Sequence, residues 1–146
     1  MLKRINQLIA IAVIAMVMAT STPAFAAQTA LTIIPLKENN YSVLAGDLAI
    51  TFTVCDNVNG NAFTSTGKEI LLVQNSDGAG AHTFTVTSVP DAIGRSDSSL
   101  TGYSVPLNGF TAINVNTLAG WKQNTGQIFL ACNSALIKFA VIQLQH

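Results

Sequence analysis

The run Leu48-Ala49-Ile50-Thr51-Phe52-Thr53-Val54-Cys55 alternates in side-chain type along its whole length. A period of two is the mark of a half-buried β-strand and cannot form the stripe of a helix. It predicts Leu48, Ile50, Phe52 and Val54 on the core side, with Ala49, Thr51, Thr53 and Cys55 opposite. Similar strand signals recur down the chain. Thr29 to Leu36 is rich in β-formers, and Ile70 to Val73 is apolar throughout, as in a central strand covered on both faces. Ala81 to Val89 alternates with Phe84 and Val86 inward, and Tyr103, Val105 and Leu107 mark a short strand. Phe110 to Val115, Gln127 to Cys132 and Ala135 to Leu144 complete the set. Nothing in the chain after the first 26 residues carries a helical period of useful length.

Turn-forming residues separate these runs. Asn59-Gly60, Asp77-Gly78, Asn124-Thr125-Gly126 and Cys132-Asn133-Ser134 serve as connections, and Leu107-Asn108-Gly109-Phe110 predicts a two-residue type I′ hairpin. Val89 to Thr101 is the longest irregular stretch. The expected fold is all-β: a single antiparallel β-sandwich or jelly roll of about eight strands.

A different signal precedes that domain. Lys3 and Arg4 lead an apolar run from Leu8 to Met18, and Ala24-Phe25-Ala26 forms a small-x-small site. This pattern predicts a secretory signal peptide over residues 1–26, cleaved before Ala27, with the β-sandwich domain over 27–146. The run is short of the roughly 20 residues that span a bilayer, so no stable membrane span is expected after cleavage. Cleavage leaves five basic residues against seven acidic ones, a formal charge of about −2. No basic cluster remains, which argues against a nucleic-acid partner. The expected location is secreted, periplasmic or cell-surface. In an oxidising compartment Cys55 and Cys132 can form a disulfide closing a loop of about 78 residues, worth roughly 4–5 kcal/mol in a chain-entropy estimate. Two buried free thiols are the alternative.

Gly60 to Lys68 places a Gly-Lys pair ahead of a hydrophobic run, like a phosphate loop. The motif requires two glycines flanking four residues, then Lys and a hydroxyl residue. Six residues separate Gly60 from Gly67, and Glu69 follows Lys68. Lys68 and Glu69 then read as solvated residues at a strand entrance. Asp56 to Asn61 resembles the start of a calcium loop, but Val58 and Gly67 occupy positions that need oxygen ligands. His82 opens a strand and His146 ends the chain, so neither predicts a nucleophile's base or a zinc site. The acids lie singly in loops. No catalytic residue, metal or cofactor is expected, and the reading is non-enzymatic. Trp121 and Tyr103, with Tyr41, form a candidate stacking platform for a glycan; the alternative gives Trp121 a role capping the core.

From about Gly60 to Leu144 the chain resembles a family of small virion proteins. The carrying residues are Phe63, then Thr66-Gly67-Lys68-Glu69 leading a strand that ends at Asn75, the His82 to Ser88 strand and Val105-Pro106-Leu107-Asn108-Gly109-Phe110. Gly126 to Leu130 and a closing Ile137 to Leu144 strand follow. This arrangement is similar to that of tailed-phage head-decoration proteins. The resemblance implies a β-sandwich without enzymatic activity that binds and reinforces a capsid, often as a trimer. With a leader, the same sandwich would serve as an exported surface-layer, pilus-like or adhesive subunit. The partners expected are other protein subunits, through self-association or a capsid or cell-surface lattice, with a glycan-binding module as the alternative.

Overall fold

A computed structural model describes residues 27–36, 49–89, 100–115 and 120–144. The described residues are all-β, with ten strands: β1 (Thr29–Ala30), β2 (Ile33–Pro35), β3 (Thr53–Val54), β4 (Asn61–Thr64), β5 (Glu69–Asn75), β6 (His82–Val86), β7 (Tyr103–Val105), β8 (Phe110–Asn114), β9 (Gln127–Cys132) and β10 (Ile137–Gln143). They form two five-stranded sheets. The first runs β1-β4-β9-β6-β7; the second runs β2-β10-β5-β8, with β3 also paired to β10. Phe63, Phe84, Ile128 and Leu130 of the first sheet share one buried cluster with Leu71, Val73, Phe139 and Val141 of the second. Phe84 meets Phe139 edge-on at 6.1 Å. This arrangement is consistent with a β-sandwich. Residues 1–26, expected to be a signal peptide, and most of the Val89 to Thr101 stretch lie outside the described residues.

The sheets are mixed, which corrects the antiparallel expectation. β1 runs parallel to β4 and β2 runs parallel to β10. One predicted strand, Thr29 to Leu36, supplies both. Its first half bonds the first sheet and its second half the second, and Leu31 is buried at the crossing. The predicted hairpin at Asn108-Gly109 is also corrected. β7 pairs with β6 and β8 with β5, so this turn carries the chain between sheets. Only Asn108 has the positive φ, at 50°, and Gly109 N–H donates to Pro106 O at 2.8 Å. A positive angle at the third position belongs to a type II turn, which suits a crossover better than a hairpin.

The Leu48 to Cys55 reading, described from residue 49 on, is corrected at its end: Val54 faces out and Cys55 faces in. Only Thr53–Val54 forms ladder bonds, Val54 and Ile50 are 50% and 43% exposed, and Cys55 is buried. Cys55 must face inward because it is bonded to Cys132 of the first sheet, with Cα atoms 6.5 Å apart. Val54 is thereby turned to the outside of the second sheet, where Phe52 packs against Leu72, Ala140 and Ile142. β4 falls in the Gly60 to Lys68 stretch, where the sequence predicts no strand, yet Ala62 and Phe63 are buried in it.

The disulfide joins residues 77 apart, from the start of a corner in the second sheet to the end of β9 in the first. Reduction is expected to raise the intact mass by about two hydrogens. A Cys55→Ala, Cys132→Ala double variant should lose up to about 4 kcal/mol in urea unfolding, with most of the change in the midpoint.

Candidate functional site

The turn from β4 to β5 holds the Gly-Lys pair. Glu69 begins β5 and shares the inward parity of Leu71 and Val73, so its carboxylate points into the end of the sandwich and is fully buried. This corrects the solvated reading; Lys68 alone is exposed. Backbone N–H groups of Thr66 (2.8 Å), Gly67 (3.0 Å) and Lys68 (3.1 Å) donate to it, as do the hydroxyls of Ser65 and Thr66. Gly67 has a φ of 88°, the left-handed geometry that turns successive N–H groups to one side. The turn therefore does build an anion nest, and the protein's own carboxylate fills it. Burial pushes the Glu69 carboxyl upward, but the Thr66 hydroxyl and the N–H donors outweigh it and hold it below the ordinary glutamate value. Gln143 Nε2 supports the nest from β10 by donating to Thr66 Oγ1 at 2.9 Å.

Asp56 is spent in the same way. Its carboxylate accepts from the N–H groups of Val58 and Asn59, from Asn59 Nδ2 and from Thr29 Oγ1. Donors occupy the oxygens a calcium ion would need, and the Asn59 N–H leads in lowering its pKa. Asn75, fully buried, directs Nδ2 toward the carbonyls of Gly80, Val105 and Pro106 and accepts from Asp77 N–H. Asp77 then takes His82 Nε2 at 2.8 Å and the Ala79 N–H; the Ala79 bond first, then His82, depresses its carboxyl. The sequence analysis places His82 at the start of a strand and does not foresee this pair. The five-residue spacing, Asp77 to His82 across a Gly-rich turn, is the signal that carried it.

Trp121 lies in the main core cluster, 6% exposed, so its indole face is turned to protein. Tyr103 is 42% exposed and rests on Phe84 with ring centroids 5.5 Å apart. Tyr41 lies outside the described residues. A shallow, open dent between β6 and β9, lined by Thr83, Thr85, Ala131 and Asn133, marks the outer face of the first sheet.

The outer face of the second sheet is different. Register places Val54, Lys138, Gln74 and Phe110 in one row, Ala140, Leu72 and Ala112 in the next, and Ile34, Ile142, Ile70 and Asn114 in the third. Lys138 is the one formal charge in these rows. Leu72, Ala140 and Ile142 form a second buried cluster, with Ile34, Leu36, Phe52 and Ile70 packed against it. The rings of Phe52 and Phe110 meet edge-on at 6.1 Å, and Phe110 remains 58% exposed. No family model matches the chain, and comparisons with curated proteins and with solved structures found no match.

Two outcomes follow from this geometry. The Glu69 pKa is lowered in the folded chain, so its contribution is complete above the unfolded value of about 4.3 and lost as pH falls through the folded value. Glu69→Gln should cost about 2–3 kcal/mol in urea unfolding at pH 7, and the deficit should shrink as pH falls below the unfolded value and through the lowered folded one. Trp121 emission should be blue-shifted in the native protein and unchanged across a panel of glycans; a red-shifted emission quenched by a sugar would return Trp121 to a binding role.

Proposed function

We propose that this chain is an exported, non-enzymatic structural protein that acts by assembling with other protein subunits, in the manner of a decoration protein on a capsid or cell-surface lattice. The mature form would start at Ala27, with its signal peptide removed. The disulfide supports an oxidising destination. The observation that carries the reading is the outer face of the second sheet, mostly apolar, interrupted by Lys138, Gln74 and Asn114, and open to solvent at Phe110, Val54 and Ile50. A contiguous apolar face of this kind marks an interaction surface. The titratable side chains described above support the same reading: Glu69, Asp56 and Asp77 are each held by hydrogen bonds inside their own turn.

Magnitudes indicate what such a face can do. At about 25 cal/mol per Å², covering a patch of about 400 Å² returns roughly 10 kcal/mol. Association costs about 4–15 kcal/mol before any affinity appears. One apolar face thus supports a weak contact, and a lattice of repeated contacts or added backbone pairing makes it firm.

Co-sedimentation of the mature chain with capsid and cell-envelope preparations tests the reading. We expect saturable binding to one of them, and Ile50→Lys with Val54→Lys should weaken it by about tenfold or more, since about 1.4 kcal/mol of lost apolar contact is enough for that. Both residues are exposed, so the folded state should be kept. A chain that stays monomeric at high concentration and binds neither preparation would remove the assembly reading.

A further inference from the structure

We infer that the N-terminal segment 29–36 is exchanged between copies of this chain: the segment of one copy pairs with β4 and β10 of a neighbour, in the place that the neighbour's own segment fills in the single chain. The inference rests on the assembly reading and names the contact that joins the subunits.

Strand direction sets this segment apart. Among the described residues, every pair formed between strands β3 to β10 is antiparallel. The parallel pairs are β1 with β4 and β2 with β10. Residues 53–143 thus carry all the antiparallel pairing, and residues 29–36 are laid along one edge of each sheet in the opposite sense. A parallel neighbour cannot be reached through a tight turn, so no hairpin fixes the segment to either edge. Its hydrogen bonds run to residues far along the chain. Thr29 N–H donates to Gly60 O at 3.0 Å, Leu31 N–H to Ala62 O at 2.8 Å and Leu36 N–H to Gln143 O at 2.9 Å. Thr29 Oγ1 donates to Asp56 at 3.0 Å, and even this partner lies 27 positions away.

The receiving edges ask for a particular strand. Leu31 is buried where the segment crosses between the sheets, Ile33 packs on the main core, and Ile34 and Leu36 pack on the second cluster. An occupant must therefore offer a hydroxyl to Asp56, an aliphatic side chain at the crossing and apolar residues to both faces of the second sheet. The chain's own segment has that pattern, and every copy carries it. Between Leu36 and Ala49 the sequence has 12 residues, 37–48. Such a length can reach about 40 Å, and a domain of this size is about 35 Å across, so the tether is long enough to serve a copy lying alongside. The same bonds form in either placement, so concentration decides between them. A tether of this kind presents its own segment at an effective concentration on the order of millimolar, and copies held side by side in a lattice meet at that density. Exchange of an identical element is a low-cost route to association, and main-chain pairing to a sheet edge supplies the affinity.

The test uses the mature chain, unfolded in urea with its disulfide intact and refolded at about 1 mM and at about 1 μM, either side of the tether's effective concentration. Ile34→Cys with Ile142→Cys puts a thiol on each member of a register pair in the second sheet, and Ala30→Cys with Ala62→Cys does the same in the first. Neighbouring strands lie about 4.8 Å apart, within disulfide reach. Oxidation after refolding then records which copy supplied the segment. A bond within one chain leaves a monomer, and exchange leaves covalent multimers on a non-reducing gel, with the 34–142 or 30–62 linkage identified by peptide mass. Val58→Cys, 84% exposed on a turn, reports cross-linking by collision. We expect multimers of both double variants at the higher concentration, about tenfold or more above those of Val58→Cys, and bonds within one chain at the lower. If one pair misfolds, the other decides. Bonds within one chain at both concentrations, or multimers no more abundant than those of Val58→Cys, would overturn the exchange. Co-sedimentation with capsid and cell-envelope preparations on the same samples separates the two ideas. Binding by chains that carry only internal bonds leaves the assembly reading in place, and loss of both binding and exchange removes both.

Discussion

Almost every connection in this fold carries the chain from one sheet to the other. β3 to β4, β4 to β5, β5 to β6, β7 to β8 and β9 to β10 all change sheets, and β6 to β7 is the consecutive pair that stays and bonds. A crossing must span the roughly 10 Å between packed sheets while leaving no buried backbone group unpaired. The chain meets that demand with short polar side chains set at the corners. Asp56 organises the β3–β4 corner, Glu69 the β4–β5 corner, and Asn75 with Asp77 the β5–β6 corner. Asn75 also bonds carbonyls of Val105 and Pro106, so one carboxamide ties two corners at the same end of the molecule. Seen this way, the charged and amide residues most suggestive of chemistry are structural fasteners whose binding capacity is already used.

The second consequence concerns β5 and β10. Each carries apolar residues on both faces: Leu71 and Val73 inward with Leu72 outward on β5, Phe139 and Val141 inward with Ala140 and Ile142 outward on β10. A strand in a two-layer fold ordinarily alternates with polar residues on the solvent side. Here the outer set is covered in part by Phe52 and Phe110 and left open in part. Isolated exposed apolar residues are common on proteins, but a face that keeps its own buried cluster is a larger commitment. It is the feature that an assembly role accounts for most directly.

Much of this was legible in the sequence. The continuous apolar run Ile70 to Val73 announced a central strand, and β5 lies between β10 and β8. Phe84 and Val86 were read as inward from alternation alone and are buried. The Cys55–Cys132 bridge was expected from the leader and the placement of both cysteines near strand ends. What misled was the assumption that one face of each strand is core. Period two tells which residues travel together and leaves open which set goes inside. At Leu48 to Cys55 the covalent demand of Cys55 outweighed the hydrophobicity of Ile50 and Val54. Partner choice was equally hidden, because Asn108-Gly109 encodes a tight turn without saying whether the flanking strands bond to each other.

Glu69 shows how far local pattern can be pushed. The hydroxyls of Ser65 and Thr66, four and three residues ahead of a carboxylate, resemble the spacing of a capping box, and Glu69 has the parity of Leu71 and Val73. Those two facts together point to a carboxylate turned inward and received by its own turn, and the structure has that arrangement. Comparison with a phosphate loop fails on spacing and on the helix that should follow, yet it identified the right stretch for a physical reason. Convergent N–H groups and a left-handed glycine are what any anion-receiving turn requires. Whether such a turn binds a ligand depends on whether the protein supplies the anion itself. A carboxylate covalently attached next to the nest has a very high effective concentration there, so a dissolved phosphate would have to displace it while leaving a buried charge unpaired, at a cost of several kcal/mol. Glu69 thus closes the site that the neighbouring glycine and lysine advertise, and the turn's role becomes that of holding β4 and β5 in their two sheets.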